Sequence, residues 1–369
     1  MAKKTKTRPR PFIKARLERC RTAMARKKIS AFLITSRMDH YYLTGFSGED
    51  SAVLITRRDV HVITDGRFET SSKAEVGWAR RHFRKGLLPE EIGKVCRSLR
   101  LKQVHVQPES VTLAEQREFR KRTKPTRLAN APDIVGQLRR LKGREELSIT
   151  RDAIRVAEQA FKAMCRSIRV GQTERQIAAR LEYEMQKRGA TGCAFPSIVA
   201  EGPNAALPHA VPGPRKVKKG SAILFDWGAT YNFYCSDLTR MVFVGSIPPK
   251  TRKIYGIVLE AQEKAIAAIK PGERMCDVDA VARRHIKRCG YGKYFGHGLG
   301  HGMGLDVHEP PRLSWMSNEK LAAGMVVTVE PGIYLPGIGG VRIEDDVVVT
   351  PSGCKALTTL SKDIEHAVI

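Results

Sequence analysis

The chain has 369 residues, 42% hydrophobic and 28% charged, the balance of an ordinary globular protein long enough for two domains. That composition excludes disordered, collagen-like and disulfide-scaffold classes, and no apolar run approaches the roughly 18 residues of a membrane span. Sixty-five Lys+Arg against thirty-eight Asp+Glu give a formal net charge of +27, which raises the question of a nucleic-acid partner. The basic runs carry no interleaved aromatic ladder, zinc-finger pattern or RNA-recognition signature, so a solvated basic surface is the simpler reading.

In chain order, residues 1–13 read as a basic tail. An α/β pattern follows over residues 14–132. A helical stretch precedes an apolar run at 31–35, then runs at 52–56 and 60–64 are joined by the short polar connection Arg57-Arg58-Asp59, a hairpin signal. Helices are expected near 66–76, 89–99 and 112–122, with a strand at 103–106. Residues 133–142 read as a linker helix opening a second domain, 133–369. There two amphipathic helices (145–167, 173–189) precede strands near 197–200, 222–226 and 234–244. Helices at 250–269 and 276–288 then precede strands at 325–330 and 341–350. Helix-helix-hairpin therefore occurs twice, a duplication of topology without a residue-level repeat. The fold class is α/β (α+β). Eight cysteines lie scattered without a C-x-x-C pair, which argues against a zinc knuckle and for reduced thiols in a cytoplasm.

The second domain concentrates residues with metal chemistry. Asp226 and Asp237 flank a turn-like stretch, and a hairpin would bring the two carboxylates together. Adjacent buried carboxylates must share a proton or hold a cation. Glu330 ends one late strand and Glu344 sits inside the next, where an unpaired carboxylate is costly. A single such acid is most simply a surface charge; four at two matching hairpin positions are not. His297, His301 and His308 fall within twelve residues, spaced by glycines, and His209 lies in an irregular loop before the first hairpin. Oxygen ligands with one nitrogen suit Mn²⁺, with Co²⁺ or Zn²⁺ as alternatives, and four carboxylates suit two ions rather than one.

These residues resemble the metallopeptidases that include aminopeptidase P, prolidase and methionine aminopeptidase. The resemblance rests on D-x-G and D-x-T-R (Asp226, Gly228; Asp237, Thr239, Arg240), the His297–His308 glycine-histidine stretch, V-E-P-G at Glu330 and R-I-E-D-D from Arg342 to Asp346. It extends to the first domain through Tyr42-Leu43-Thr44-Gly45-Phe46 and Thr64-Asp65-Gly66-Arg67, similar to the N-terminal domain of Xaa-Pro peptidases. The resemblance implies a creatinase/prolidase-type domain followed by a pita-bread fold with pseudo-twofold halves, and a homodimer acting on peptides or dipeptides with proline second. It implies that Asp226, Asp237, His301, Glu330 and Glu344 bind two metals, with Asp237 and Glu344 bridging. Glu330 would also accept a proton from the nucleophile. His308 would stabilise the tetrahedral intermediate, and His209 and His297 would position substrate. By strand spacing, Arg342 lies on the same face as Glu344 and Thr239 on that of Asp237, each the expected support of that neighbour. The competing expectation is a non-catalytic peptide- or nucleic-acid-binding module on the same fold, although all five ligand positions are retained.

Overall fold

The computed structural model describes residues 8–369. Of the tail expected over residues 1–13, residues 1–7 lie outside the described residues, and the first helix already starts at Pro11. Proline suits a first helical position because its missing N–H would have no partner there, and Ile13 opens the buried face that continues through Leu17, Cys20 and Met24.

The chain divides into two compact units, residues 1–139 and 140–369. In the first, α1 (Pro11–Arg26), β1 (Ala31–Ile34), α2 (Arg37–Thr44), β2 (Ala52–Thr56), β3 (Val60–Asp65) and α3 (Glu69–Val76) come in turn. β4 (Arg80–Arg84), α4 (Leu88–Ser98), β5 (Gln103–Val106), α5 (Leu113–Thr123), β6 (Arg127–Asn130) and α6 (Ile134–Arg139) complete it. The sheet has the order β4-β3-β2-β1-β5-β6. The β1-β2 and β2-β3 pairs are antiparallel and the outer pairs parallel. Alternate residues Ala31, Leu33, Ala52, Leu54, Val104 and Val106 share one core with Ile92 and Val95 of α4 and Phe119 of α5, the period of two that a half-covered strand needs. β4 and β6 were not expected: both are short, begin with arginine and are only partly buried, as edge strands tend to be.

Helix α6 belongs to the first unit, past the boundary placed at residue 132. Its last residue, Arg139, donates to Asp39 Oδ1 at 2.8 Å, and Gln107 Nε2 donates to Asp39 Oδ2 at 2.6 Å, all three buried. The pair ties three segments distant in sequence to one carboxylate.

In the second unit, α7 (Arg144–Cys165) and α8 (Glu174–Lys187) precede β7 (Gly192–Cys193), β8 (Ile198–Glu201), β9 (Ala222–Trp227), β10 (Ala229–Tyr231), β11 (Tyr234–Cys235) and β12 (Leu238–Phe243). Then α9 (Pro249–Ala268) and α10 (Met275–Arg288) precede β13 (Gly300–Gly302), β14 (Glu309–Leu313), β15 (Val326–Val329), β16 (Gly332–Leu335), β17 (Gly339–Arg342), β18 (Asp345–Thr350) and β19 (Gly353–Ala356). Both helix pairs start where the sequence reading put them, within a residue or two of a Thr173–Gln176 capping box in the case of α8.

β9 shows why its run is apolar on both faces. Ile223, Phe225 and Trp227 pack with α7 and α8, while Ala222 and Leu224 pack with α9 and α10. Asp226 takes the place of the next apolar residue on that second face. β12 runs antiparallel to β9 with Thr239 opposite Asp226, so Thr239 and Met241 share the face. The later strands break at the acids: β15 gives way to β16 at Glu330, and β17 to β18 at Glu344. An isolated bridge between Thr239 and Glu344 joins the two sets of strands. Among the described residues no helix is long and apolar enough to cross a membrane.

Replacing Arg139 by Met leaves Asp39 buried without its counter-charge. The variant should lose about 3 kcal/mol of stability, read as a lower urea midpoint; an unchanged midpoint would show that Asp39 does not depend on the pair.

Candidate metal centre

A cleft of about 490 Å³ in the second unit is lined by all the acids and imidazoles singled out in the sequence: His209, Asp226, Asp237, His297, His301, His308, Glu330 and Glu344, with Arg342 among them. Thr239 stands behind this wall, fully buried. Asp237, His301 and Glu344 each offer a ligand atom within 4.8 Å of the others. Glu330 comes close as well, its Oε1 lying 3.4 Å from His301 Nε2, with Asp237 Oδ2 at 3.6 Å. His209 and His308 are exposed at the cleft surface, whereas His301 is buried.

Glycine is required where the histidine strand meets its neighbour. A Cβ on Gly300 would lie 2.0 Å from the Thr328 carbonyl oxygen, so β13 could not sit against β15. That contact fixes His301, whose N–H donates to Thr328 Oγ1 at 3.0 Å, while Glu330 N–H donates to the Leu299 carbonyl at 2.9 Å.

The protonation pattern follows from hydrogen bonding. His301 Nδ1 lies 3.1 Å from the Gly302 carbonyl. A carbonyl only accepts, so Nδ1 carries the proton and the Nε2 lone pair faces the carboxylates of Asp237 and Glu330. Burial and the neighbouring His308 press the His301 pKa down to about 3, keeping the ring neutral. Acceptors thus face acceptors in a buried space, an arrangement that needs a cation or shared protons. Burial, then the charges of Glu344 and Asp226, holds Asp237 well above the ordinary carboxylate range. Glu344 is raised by burial and by Glu330 and Asp226, and burial pushes Glu330 up to about 8. One oxygen of Asp226 is buried without any hydrogen-bond partner. A divalent cation fits this donor set: hard carboxylate oxygens with one neutral imidazole nitrogen.

Behind the cleft, a relay of donors orients the acids. Arg342 is bonded to Asp226, and its Nε donates to Thr239 Oγ1 at 3.1 Å. Thr239 in turn donates to Glu344 Oε2 at 2.7 Å. The two residues therefore act across the strands: Arg342, near Glu344 in sequence, holds Asp226, and Thr239, near Asp237, holds Glu344. Arg240 donates to the Glu344 carbonyl and to Asp345 Oδ1, which locks D-x-T-R against R-I-E-D-D.

Three contributors were missed. Tyr334 accepts from Arg342 Nη1 at 2.8 Å and lies 2.9 Å from His297 Nε2. Since His297 Nδ1 donates to the Gly298 carbonyl, the phenol donates to Nε2. Burial and the nearby Arg342 charge lower His297 to about 4. Asp346, fully buried, accepts from the Asp237 N–H at 3.2 Å. Arg312 is exposed on β14 and lines the cleft. The run after Glu344 was the one available signal for Asp346; nothing in the sequence singled out Tyr334 or Arg312.

A carboxylate with a raised native pKa keeps its proton where the unfolded chain has released it, so its stabilising contribution is complete below about 4.5 and is lost as pH rises through its native value. For Glu330 that window runs from 4.5 to about 8. Metal-free protein should therefore melt at progressively lower temperature between pH 5 and about 8. Saturating divalent metal should raise the melting temperature at the alkaline end most. A flat metal-free profile would show that the acids are not mutually strained.

Residues 148–351 match the metallopeptidase family M24, and residues 16–141 match the creatinase/prolidase N-terminal domain. An Xaa-Pro dipeptidase of Pyrococcus furiosus is 37% identical over 95% of this chain and 100% of its own length. Among solved structures, an Xaa-Pro dipeptidase from Bacillus anthracis superposes with a TM-score of 0.91 at 37% identity, covering 97% of this chain and 100% of that one. An X-Pro aminopeptidase from Thermotoga maritima gives 0.88 at 39% identity, covering 93% and 99%. The helix-helix-strand duplication is the pita-bread fold. With both domains, the metal-type cleft and the full length matched, this chain belongs to metallopeptidase family M24 as a member that carries the creatinase/prolidase N-terminal domain.

Proposed function

We propose that the protein is a metal-dependent peptidase that hydrolyses the bond between an N-terminal residue and proline. The observation that carries this reading is the neutral His301 lone pair facing the carboxylates of Asp237 and Glu330 in a substrate-sized cleft, in a chain similar throughout to Xaa-Pro dipeptidases. Asp226, Asp237, His301, Glu330 and Glu344 would hold two divalent ions, with Mn²⁺ the best match to the oxygen-rich set. Such ions, when bound, supply Lewis-acid polarisation of a carbonyl and activation of water.

The chain's own residues supply the rest. Glu330, half-buried in the cleft lining, is suited to take a proton from the attacking water and pass it to the departing amine. His308, exposed at the cleft beside His301 with ring centroids 4.3 Å apart, would donate to the oxygen that gains charge. His297, fixed as a neutral ring by Gly298 and Tyr334, and His209 would orient the substrate. Arg342 keeps Asp226 aligned. Arg312 enters no ion pair among the described residues and suits a substrate carboxylate, which favours dipeptides. A homodimer and a cytoplasmic setting fit this reading without being required by it.

After metal removal and Mn²⁺ addition, Leu-Pro should be cleaved and Ala-Ala left intact. Cleavage of Leu-Pro-Gly at a comparable rate would assign an aminopeptidase range instead of a dipeptidase one. Asp237→Ala and Glu344→Ala should each reduce turnover to below about one thousandth of the parent. Turnover within tenfold of the parent would sink the two-ion reading.

A further inference from the structure

The cleft carries an apolar wall that the chemistry above does not use. Trp315, Met316 and Val211 line it and are 50%, 75% and 83% exposed. Large apolar groups so open to solvent around a binding cleft mark a contact surface. Trp315 is also held. The Arg283 guanidinium carbon lies 4.4 Å from its ring centroid and 4.3 Å from that of Phe295, so the cation packs against both rings.

Arg283 is itself rigid. Its Nε and Nη2 donate to the two oxygens of Asp279 at 2.7 and 2.8 Å. Nη1 donates to the Phe295 carbonyl at 3.0 Å and Nη2 to the His297 carbonyl at 2.8 Å. Asp279, fully buried, also accepts the Leu299 N–H at 3.0 Å. One ion pair on α10 therefore grips the backbone at 295, 297 and 299 and fixes the indole beside it. A side chain held this way loses little freedom when something packs on it, which makes it an effective contact for a ligand.

We propose that Trp315, pinned by Arg283, is a specificity-determining residue that selects substrates whose variable residue Xaa has a large apolar side chain. This rests on the Xaa-Pro reading. In an Xaa-Pro substrate only Xaa varies, so an indole that contacts it shows as discrimination among Xaa, whereas one that contacts proline affects every substrate alike. Arg283 acts as a positioning residue through the indole.

The test compares kcat/KM for Leu-Pro, Phe-Pro and Gly-Pro in the Mn²⁺-loaded full chain. The parent should prefer Leu-Pro and Phe-Pro. Trp315→Ala should reduce the Leu-Pro to Gly-Pro ratio about tenfold, the scale on which apolar pockets discriminate. Trp315→Phe, which retains a ring, should keep the ratio within about twofold. Arg283→Lys should lower the ratio in the parent but add nothing to it in Trp315→Ala, because the two act as one unit. An unchanged ratio in Trp315→Ala, or an equal fall for all three substrates, would overturn the assignment while the peptidase reading stands. Failure of the parent to cleave any of the three would instead bring down the Xaa-Pro reading and this inference with it.

Discussion

The second unit is organised around a repulsion. Four carboxylates and the bare nitrogen of a neutral imidazole are brought together in one cleft, and every one of these groups in its unprotonated form is an acceptor. Such a cluster has a high free energy unless something positive enters it. The raised Asp237, Glu330 and Glu344 express that constraint, while burial and the neighbouring His308 keep His301 from taking up the proton that would relieve it. The protein answers it only in part, with the guanidinium of Arg342 on Asp226. The remaining deficit is what gives the cleft its appetite for cations.

Holding mutually repelling groups in register demands a stiff frame. β9 is covered on both faces, by α7 and α8 on one side and by α9 and α10 on the other. Asp237, Glu330 and Glu344 occur where strands end or break, while Asp226 is held inside β9 between Ile198 and Thr239. The bridge between Thr239 and Glu344 then joins the two halves directly at the site. Its hydroxyl relay from Arg342 to Glu344 means that the position of one acid depends on the strand bearing the others. Preorganisation of this kind is what keeps a metal centre's geometry fixed without a bound ion to template it.

The first unit has a different electrostatic character. It holds thirty-two of the sixty-five Lys+Arg and only fourteen of the thirty-eight acids in 139 residues. Its core is an ordinary mixed sheet backed by α4 and α5, and the buried ion pair of Asp39 with Arg139 serves to anchor α6. Excess charge here is a matter of surface and solubility rather than of fold.

Much of this was legible in the residues themselves. Periodicity marks α7 to α10, because an amphipathic helix repeats its apolar face every three to four residues. Acids inside apolar strands are conspicuous for the reason they are costly, so Asp226, Asp237, Glu330 and Glu344 stood out, as did histidines set among glycines. The edge strands β4 and β6 did not, because exposed strands lack alternation. Tyr334, Arg312 and Trp315 escaped notice because an aromatic in a strand and a charge on a surface have bland explanations until their neighbours are known. Local sequence carries the cost of burying an acid; it does not carry which acid meets which donor. That Arg342 serves Asp226 and Thr239 serves Glu344 depends on contacts 116 and 105 residues apart in the chain, and only the register of strands from both halves could decide it.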